Sequence, residues 1–187
     1  MPLHDRILGH FQASAQIKLD AAGTLAPQIE VAARRLLAEG HRVAGFDALT
    51  PYYDVRLKQR RHAILERSEH FSAHIEDLCD RPALEAALDR ESPDIVIHLA
   101  AQAGVRYSLE APMAYEHSNT RGHLCVLEYA RRAARLEHLV YASSSSVYGD
   151  RSDGPFKETD RCDAPASLYA ATKKACELMS YTYAHLH

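Results

Sequence analysis

Apolar residues change their spacing along this chain, and the changes mark out its elements. Leu3, Ile7, Leu8, Phe11 and Ala15 recur at helical spacing, which predicts a helix over 3–19. A second helix is predicted over 27–39, because Pro27 suits a first helical turn and Gly40 stands just past the end. The short apolar run "RVAGF" (42–46) predicts a buried strand, and the charged, amphipathic stretch 52–68 a helix. "FSAHI" (71–75) reads as a strand and "RPALEAALDRE" (81–91) as a helix. "DIVIHLAA" (94–101) is a continuous apolar run, the pattern of a strand covered on both faces. Residues 113–134 predict one long helix, "HLVYASSS" (138–145) another buried strand, and "PASLYAATKKACELMSYTYAHL" (165–186) a final helix.

From residue 41 onward the predicted order is β-α-β-α-β-α-β-α. Such alternation implies a parallel sheet with helices on both faces. Ligands of these sheets bind beyond the carboxyl ends of the strands, so the residues just after each strand are the informative ones.

Composition narrows the partners. The 187 residues are 47% apolar and 25% charged, ordinary for a globular chain with a sizeable core. A net charge of −3 gives no sign of a nucleic-acid or membrane surface. The N-terminal "MPLHDRILGHFQ" has no long apolar run, so neither a signal peptide nor a membrane span is expected. Cys79, Cys125, Cys162 and Cys176 lie far apart with no C-x-x-C, which reads as free thiols in a reducing cytoplasm. His70 and His74 could share a helical face, but "FSAHIED" reads as a strand, and no metal site is expected.

Asp47 directly follows the first clear strand. There an acid is either a turn residue or the acceptor for the adenosine ribose hydroxyls of a dinucleotide, favouring NAD over NADP. Asp77 and Leu78 follow the next strand, where adenine contacts can form. "HLAAQAG" (98–104) turns from an apolar strand to small residues, which let a cofactor approach the backbone or simply pack closely. "YASSSSVYG" (141–149) sets four serines at a strand end, where a substrate hydroxyl would lie. Tyr169-Ala-Ala-Thr-Lys173 puts a phenol and an ammonium on one helix face. A phenol alone is a poor base near neutrality, and a nearby Lys⁺ with a cationic nicotinamide favours the phenolate.

The front of the unit does not match its back. A strand ending in G-x-x-G-x-x-G would be expected before "LAEGHRVAGFD". Only Gly23 is present, with Ala26 and Ile29 at the other two spacings.

The segments "PYYDVRLKQRR", "VIHLAAQAGVRYSLEAPMAY", "LVYASSSSVYG" and "SLYAATKKACELMSYTYAHL" resemble extended short-chain dehydrogenases/reductases of the NAD-dependent epimerase/dehydratase family. Among these, the UDP-glucuronate 4-epimerases are most similar. The resemblance covers about residues 34–187. It implies an α/β fold: an incomplete Rossmann-like parallel sheet with helices on both faces, its first strand and glycine-rich loop replaced by N-terminal helices. It implies Tyr169 as catalytic base, supported by Lys173, with Ser144 on the reacting hydroxyl and Ser145 or Ser146 as alternatives. Cofactor contacts are implied at Asp47, Asp77, Leu78, Leu99, Ala100, Ala101, Asn119, Ser143, Tyr169 and Lys173. Arg106 and Ser145 would meet substrate, Arg106 through a carboxylate or phosphate. The implied cofactor is NAD, the substrate a nucleotide-sugar such as UDP-glucuronate, and the reaction oxidation and re-reduction at sugar C4 through a 4-keto intermediate.

Residues 1–33, "RILGHFQASAQIKLDAAGTLAPQIEVAARRL" in the main, resemble instead the N-terminal helices of phosphoheptose isomerases of the sugar-isomerase-domain class. Together the resemblances imply a helical segment over 1–33 and a truncated NAD-binding domain over 34–187, with the C-terminal substrate domain of the family absent. Epimerase ancestry with impaired activity is the first expectation. The alternative is a non-catalytic chimeric fragment acting as an interaction or homo-oligomerisation module.

Overall fold

The structure is a computed structural model, and it describes residues 26–152 and 154–187. The helix expected over 3–19 lies outside the described residues. So does most of the segment that resembles an isomerase. The described residues fall into two compact units, 26–92 and 93–187.

In the first unit, α1 (Ala26–Ala38) leads to β1 (Val43–Phe46), α2 (Val55–Leu65), β2 (Phe71–His74) and α3 (Arg81–Glu91). The stops are local. Gly40, at φ +87, ends α1 with paired hydrogen bonds, Gly40 N–H to Leu37 O at 3.1 Å and His41 N–H to Leu36 O at 3.0 Å. This is the Schellman arrangement, and it needs a residue free to turn left-handed. Asp54 caps α2 by accepting from Arg56 N–H at 3.0 Å, and Asp80 caps α3 by accepting from Ala83 N–H at 3.1 Å. β1 and β2 pair in parallel, Val43 opposite Phe71 and Phe46 opposite His74. His74 Nε2 lies 3.0 Å from the Glu91 carboxylate.

The second unit runs β3 (Ile95–His98), α4 (Tyr107–Glu110), α5 (Pro112–Tyr115), a π-helix (Glu116–Arg121), α6 (Gly122–Ala130), β4 (His138–Tyr141), a 3₁₀ turn (Ser145–Tyr148) and α7 (Leu168–Leu186). β3 and β4 pair in parallel, Ile95 opposite His138 and His98 opposite Tyr141. The long helix expected over 113–134 is thus three segments, ending at Ala130. The strand expected over 138–145 stops at Tyr141, because Ser144 turns its hydroxyl to cap the following 3₁₀ turn. Ser167 caps α7, which therefore begins at Leu168 rather than 165.

The ladders are β1–β2 and β3–β4, two separate two-stranded sheets. One expectation fails. β3 is not covered on both faces: Ile95 is 57% and Ile97 45% exposed, while His98 on the alternate face is buried. A continuous apolar run cannot show that only one of its two faces finds a partner.

The core of the second unit is built by Tyr115, Val126, Leu127, Tyr129, Leu139, Ala170 and Cys176, and that of the first by Ala33, Leu65, Leu84 and Ala87. Gly149 closes the 3₁₀ turn at φ +72, and a Cβ there would run into the Ala164 carbonyl oxygen. Gly149→Ala is therefore expected to cost about 2 kcal/mol or more. The check is a lower urea midpoint at unchanged slope; an unchanged midpoint would refute the clash.

Candidate active site

Each ladder gathers chemistry at its carboxyl edge. In the first unit, Asp47 and Asp77 follow the adjacent strands β1 and β2, and Asp47 N–H still bonds to His74 O at 3.1 Å. One Asp47 oxygen accepts from Leu49 N–H at 2.7 Å, which fixes the carboxylate in a tight turn with Leu49 at φ +47. Asp77 does the same with Cys79 N–H at 2.8 Å, and Leu78 between them is half-buried. Asp47 opens onto a small cleft shared with Tyr53, Lys58, Arg61 and His62. Lys58 is buried there, its Nζ donating to Thr50 Oγ1 at 3.2 Å and standing over the Tyr53 ring. Burial holds its pKa below the usual lysine value, partly opposed by the Asp47 charge. Arg61 faces Glu30 of α1 at 3.6 Å.

In the second unit, Leu99, Ala100 and Ala101 follow β3, and Ser143, Ser144 and Ser145 follow β4. Two successive turns of α7 are tied to the end of β4. Lys173 is buried, and its Nζ donates to Ala142 O at 2.9 Å. One turn on, Glu177 accepts from Ser143 Oγ at 2.5 Å and pairs with Lys174 at 2.9 Å. One turn before Lys173, the half-buried Tyr169 ring meets Tyr115 edge-on, centroids 6.1 Å apart. Desolvation lowers the Lys173 pKa. Ser144 Oγ is engaged with Ser146, 3.1 Å to its Oγ and 3.2 Å from its N–H, while Ser145 is exposed. Arg106 is exposed at the head of α4.

Asn119 is among the most buried residues of this unit. It is 2% exposed; its Oδ1 accepts from Gln102 N–H at 2.7 Å, and its Nδ2 donates to Gln102 O at 3.1 Å and Thr172 Oγ1 at 3.0 Å. In this conformation its amide is spent on the protein. Below it lies a second buried group that the sequence did not announce. His98 of β3 stacks on His123 of α6 at 5.2 Å, His123 meets the Tyr141 ring at 5.0 Å, and His123 Nε2 lies 2.8 Å from Ser180 Oγ. Burial, reinforced by the charges of His123 and Lys173, pushes His98 down to about 3. Burial and Lys173 push His123 down to about 4. Both rings are neutral at physiological pH.

A family model described as GDP-mannose 4,6 dehydratase matches residues 30–187. The chain belongs to this NAD-dependent epimerase/dehydratase family. Over 155 residues this family member is 56% identical to a Rhizobium meliloti protein named "Probable UDP-glucuronate 4-epimerase", covering 83% of this chain and 45% of that one. It is 45% identical over 167 residues to UDP-glucuronate 4-epimerase 3 of Arabidopsis thaliana, covering 89% of this chain and 38% of the relative. In structure it resembles the Bacillus cereus UDP-glucuronic acid 4-epimerase, solved with UDP-glucuronic acid and NAD, at TM-score 0.77 and 28% identity, over 84% of this chain and 49% of that one. The epimerase/dehydratase chain thus spans less than half the length of the curated relatives it matches. Its fold class is the Rossmann-like α/β class of those neighbours, and NAD is the family's cofactor.

The residues fit that cofactor unevenly. Asp47 in the first unit has the chemistry to accept ribose hydroxyl protons. The small-residue loop 99–101, Tyr169 and Lys173 in the second suit a nicotinamide riboside. A pyrophosphate cradle is another matter. α1 opens on Ala26 and Pro27, Pro offers no N–H, and Glu30 follows within the second turn. The glycine turn that would bring a backbone against phosphate is not in the sequence at this point. No helix of the described residues is long and apolar enough to cross a membrane.

Proposed function

We propose that residues 34–187 descend from the nucleotide-binding half of a UDP-glucuronate 4-epimerase and keep its acid–base apparatus, while the chain as it stands is impaired in turnover. The observation that supports this best is Lys173: a buried ammonium anchored on Ala142 O, one helical turn from Tyr169 and beside the strand-end serines. A lysine has three N–H donors, so two remain for a ligand after Ala142. In the intact site Tyr169 would take the proton from the sugar C4 hydroxyl and return it, with Ser144 bonding that hydroxyl. Ser143, Leu99, Ala100 and Ala101 would line the cofactor, Asp47, Asp77 and Leu78 would hold its adenosine, and Arg106 and Ser145 would meet the nucleotide-sugar. NAD, when bound, supplies the hydride acceptor and donor. Asn119, its amide held by Gln102 and Thr172, would contribute to the same cofactor site.

A second reading, a non-catalytic chimeric fragment working as an interaction or oligomerisation module, is favoured by Leu178, Tyr181 and Leu186, which are 58%, 69% and 66% exposed along α7. The two separate at high cofactor concentration. With millimolar NAD⁺, backbone amide signals of Asp47, Ala100, Ser143 and Lys173 are expected to shift by NMR, and Lys173→Met is expected to remove the shifts at Ala100 and Ser143. Unmoved signals at all four positions would favour the interaction module.

A further inference from the structure

We infer that Tyr115 is a positioning residue for Tyr169: its ring sets the Tyr169 ring, and its hydroxyl fixes the loop after β3. This rests on reading Tyr169 as the reacting group. Tyr115 is fully buried at the end of α5. The single proton of its hydroxyl is shared between the carbonyl of Ala103, at 2.7 Å, and that of Gly104. Two successive carbonyls can converge on one hydroxyl because Gly104, at φ +97, turns the backbone there. The same loop carries Ala100 and Ala101 and leads into Arg106. The Tyr115 ring stands edge-on to Tyr169, 79° between planes, and 6.2 Å from Tyr107.

Tyr169 needs such support. It is the second residue of α7, in the first turn, where the backbone N–H groups have no helical partners and the helix holds least. Packing, not the helix, therefore decides where its ring points. A leucine at position 115 would fill space without the edge-to-face contact. A phenylalanine would keep that contact and leave the two carbonyls without their donor.

The π-helix explains how Tyr115 can act beside Asn119 and His123. The three stand at i, i+4 and i+8 and are 0%, 2% and 1% exposed. On a 3.6-residue helix each such step drifts by about 40° around the axis. The wider turn over Glu116–Arg121 offsets that drift and keeps all three on one buried line. Asn119 holds Gln102 independently, so the loop retains an anchor when Tyr115 is altered.

The test uses the full chain with ring-¹³C tyrosine, Tyr169 being assigned by Tyr169→Phe. Tyr115→Phe is expected to leave the Tyr169 ring signals in place while shifting the amides of Gly104, Val105 and Arg106. Tyr115→Leu is expected to move both sets. Val126→Ala, a cavity in the same core, is expected to lower thermal stability and move neither. Unchanged loop amides in Tyr115→Phe would overturn the inference, even if Tyr115→Leu fails to fold. So would Tyr169 signals that stay put in Tyr115→Leu or shift equally in Val126→Ala. If Tyr169 is not the reacting group, the amide shifts with millimolar NAD⁺ fail while these ring shifts persist, so the two ideas fail separately.

Discussion

Titrated calorimetrically with NAD⁺, the full chain is expected to show no binding at micromolar cofactor, and to convert no UDP-glucuronate to UDP-galacturonate. The reason lies between Gly23 and Glu30. A dinucleotide's pyrophosphate is held in this class of fold by a glycine turn and the free N–H groups of the helix that follows. Here Ala26 and Ile29 replace two glycines, Pro27 has no N–H, and Glu30 adds a negative charge that faces Arg61 and Arg34. Each charge-assisted hydrogen bond lost is worth about 1.5–3 kcal/mol, and every 1.4 kcal/mol is tenfold in affinity. Losing two or three therefore removes several orders of magnitude. A micromolar dissociation constant, or UDP-galacturonate in the product mixture, would sink the prediction. Weak millimolar binding would not, since Asp47 and Lys173 keep their chemistry.

Acidification is expected to destabilise the second unit well above the pH at which carboxylates titrate. His98 and His123 are held at about 3 and about 4 in the fold, against an ordinary value near 6.5 for an unfolded chain. The unfolded state therefore binds more protons throughout the interval, and stability falls as pH falls below 6.5. The contribution is fully present above 6.5 and is lost toward 4 and 3. Each histidine costs up to about 1.4 kcal/mol per pH unit, so the pair removes about 3–4 kcal/mol between pH 7 and pH 5. That is a large share of the 5–15 kcal/mol typical of a domain. Lys173 and Cys176 face His123 from α7, and the Lys173 charge opposes its protonation further. Urea unfolding at both pH values measures this directly, with His123→Gln expected to flatten the dependence. Equal midpoints at pH 7 and pH 5 would contradict it.

What the sequence revealed were features whose causes are local. α1 was readable from Pro27 and Gly40, because caps act within one turn. Lys173 and Tyr169 were readable because i, i+4 spacing on a helix is fixed by the backbone alone. The chain belongs to the family that those residues suggested. The π-helix was not readable: it sits where Asn119 grips the backbone of Gln102, 17 residues earlier. Nor were the buried histidines, since His98 and His123 meet only once β3 and α6 are packed. Tyr115 left no signal that sets it apart from the other aromatics of the predicted helix 113–134. Glu177 left none, as a helix glutamate is ordinary until Ser143 is seen on it. The exposed face of β3 was misread for the complementary reason, that hydrophobicity reports what a strand needs rather than what it receives.

That face has a consequence for handling the protein. Ile95 and Ile97 project side by side from a four-residue strand into water. Apolar surface of this kind associates more strongly as concentration rises and as sulfate or phosphate salts are added. Low-salt, dilute buffers are therefore expected to keep this face dispersed.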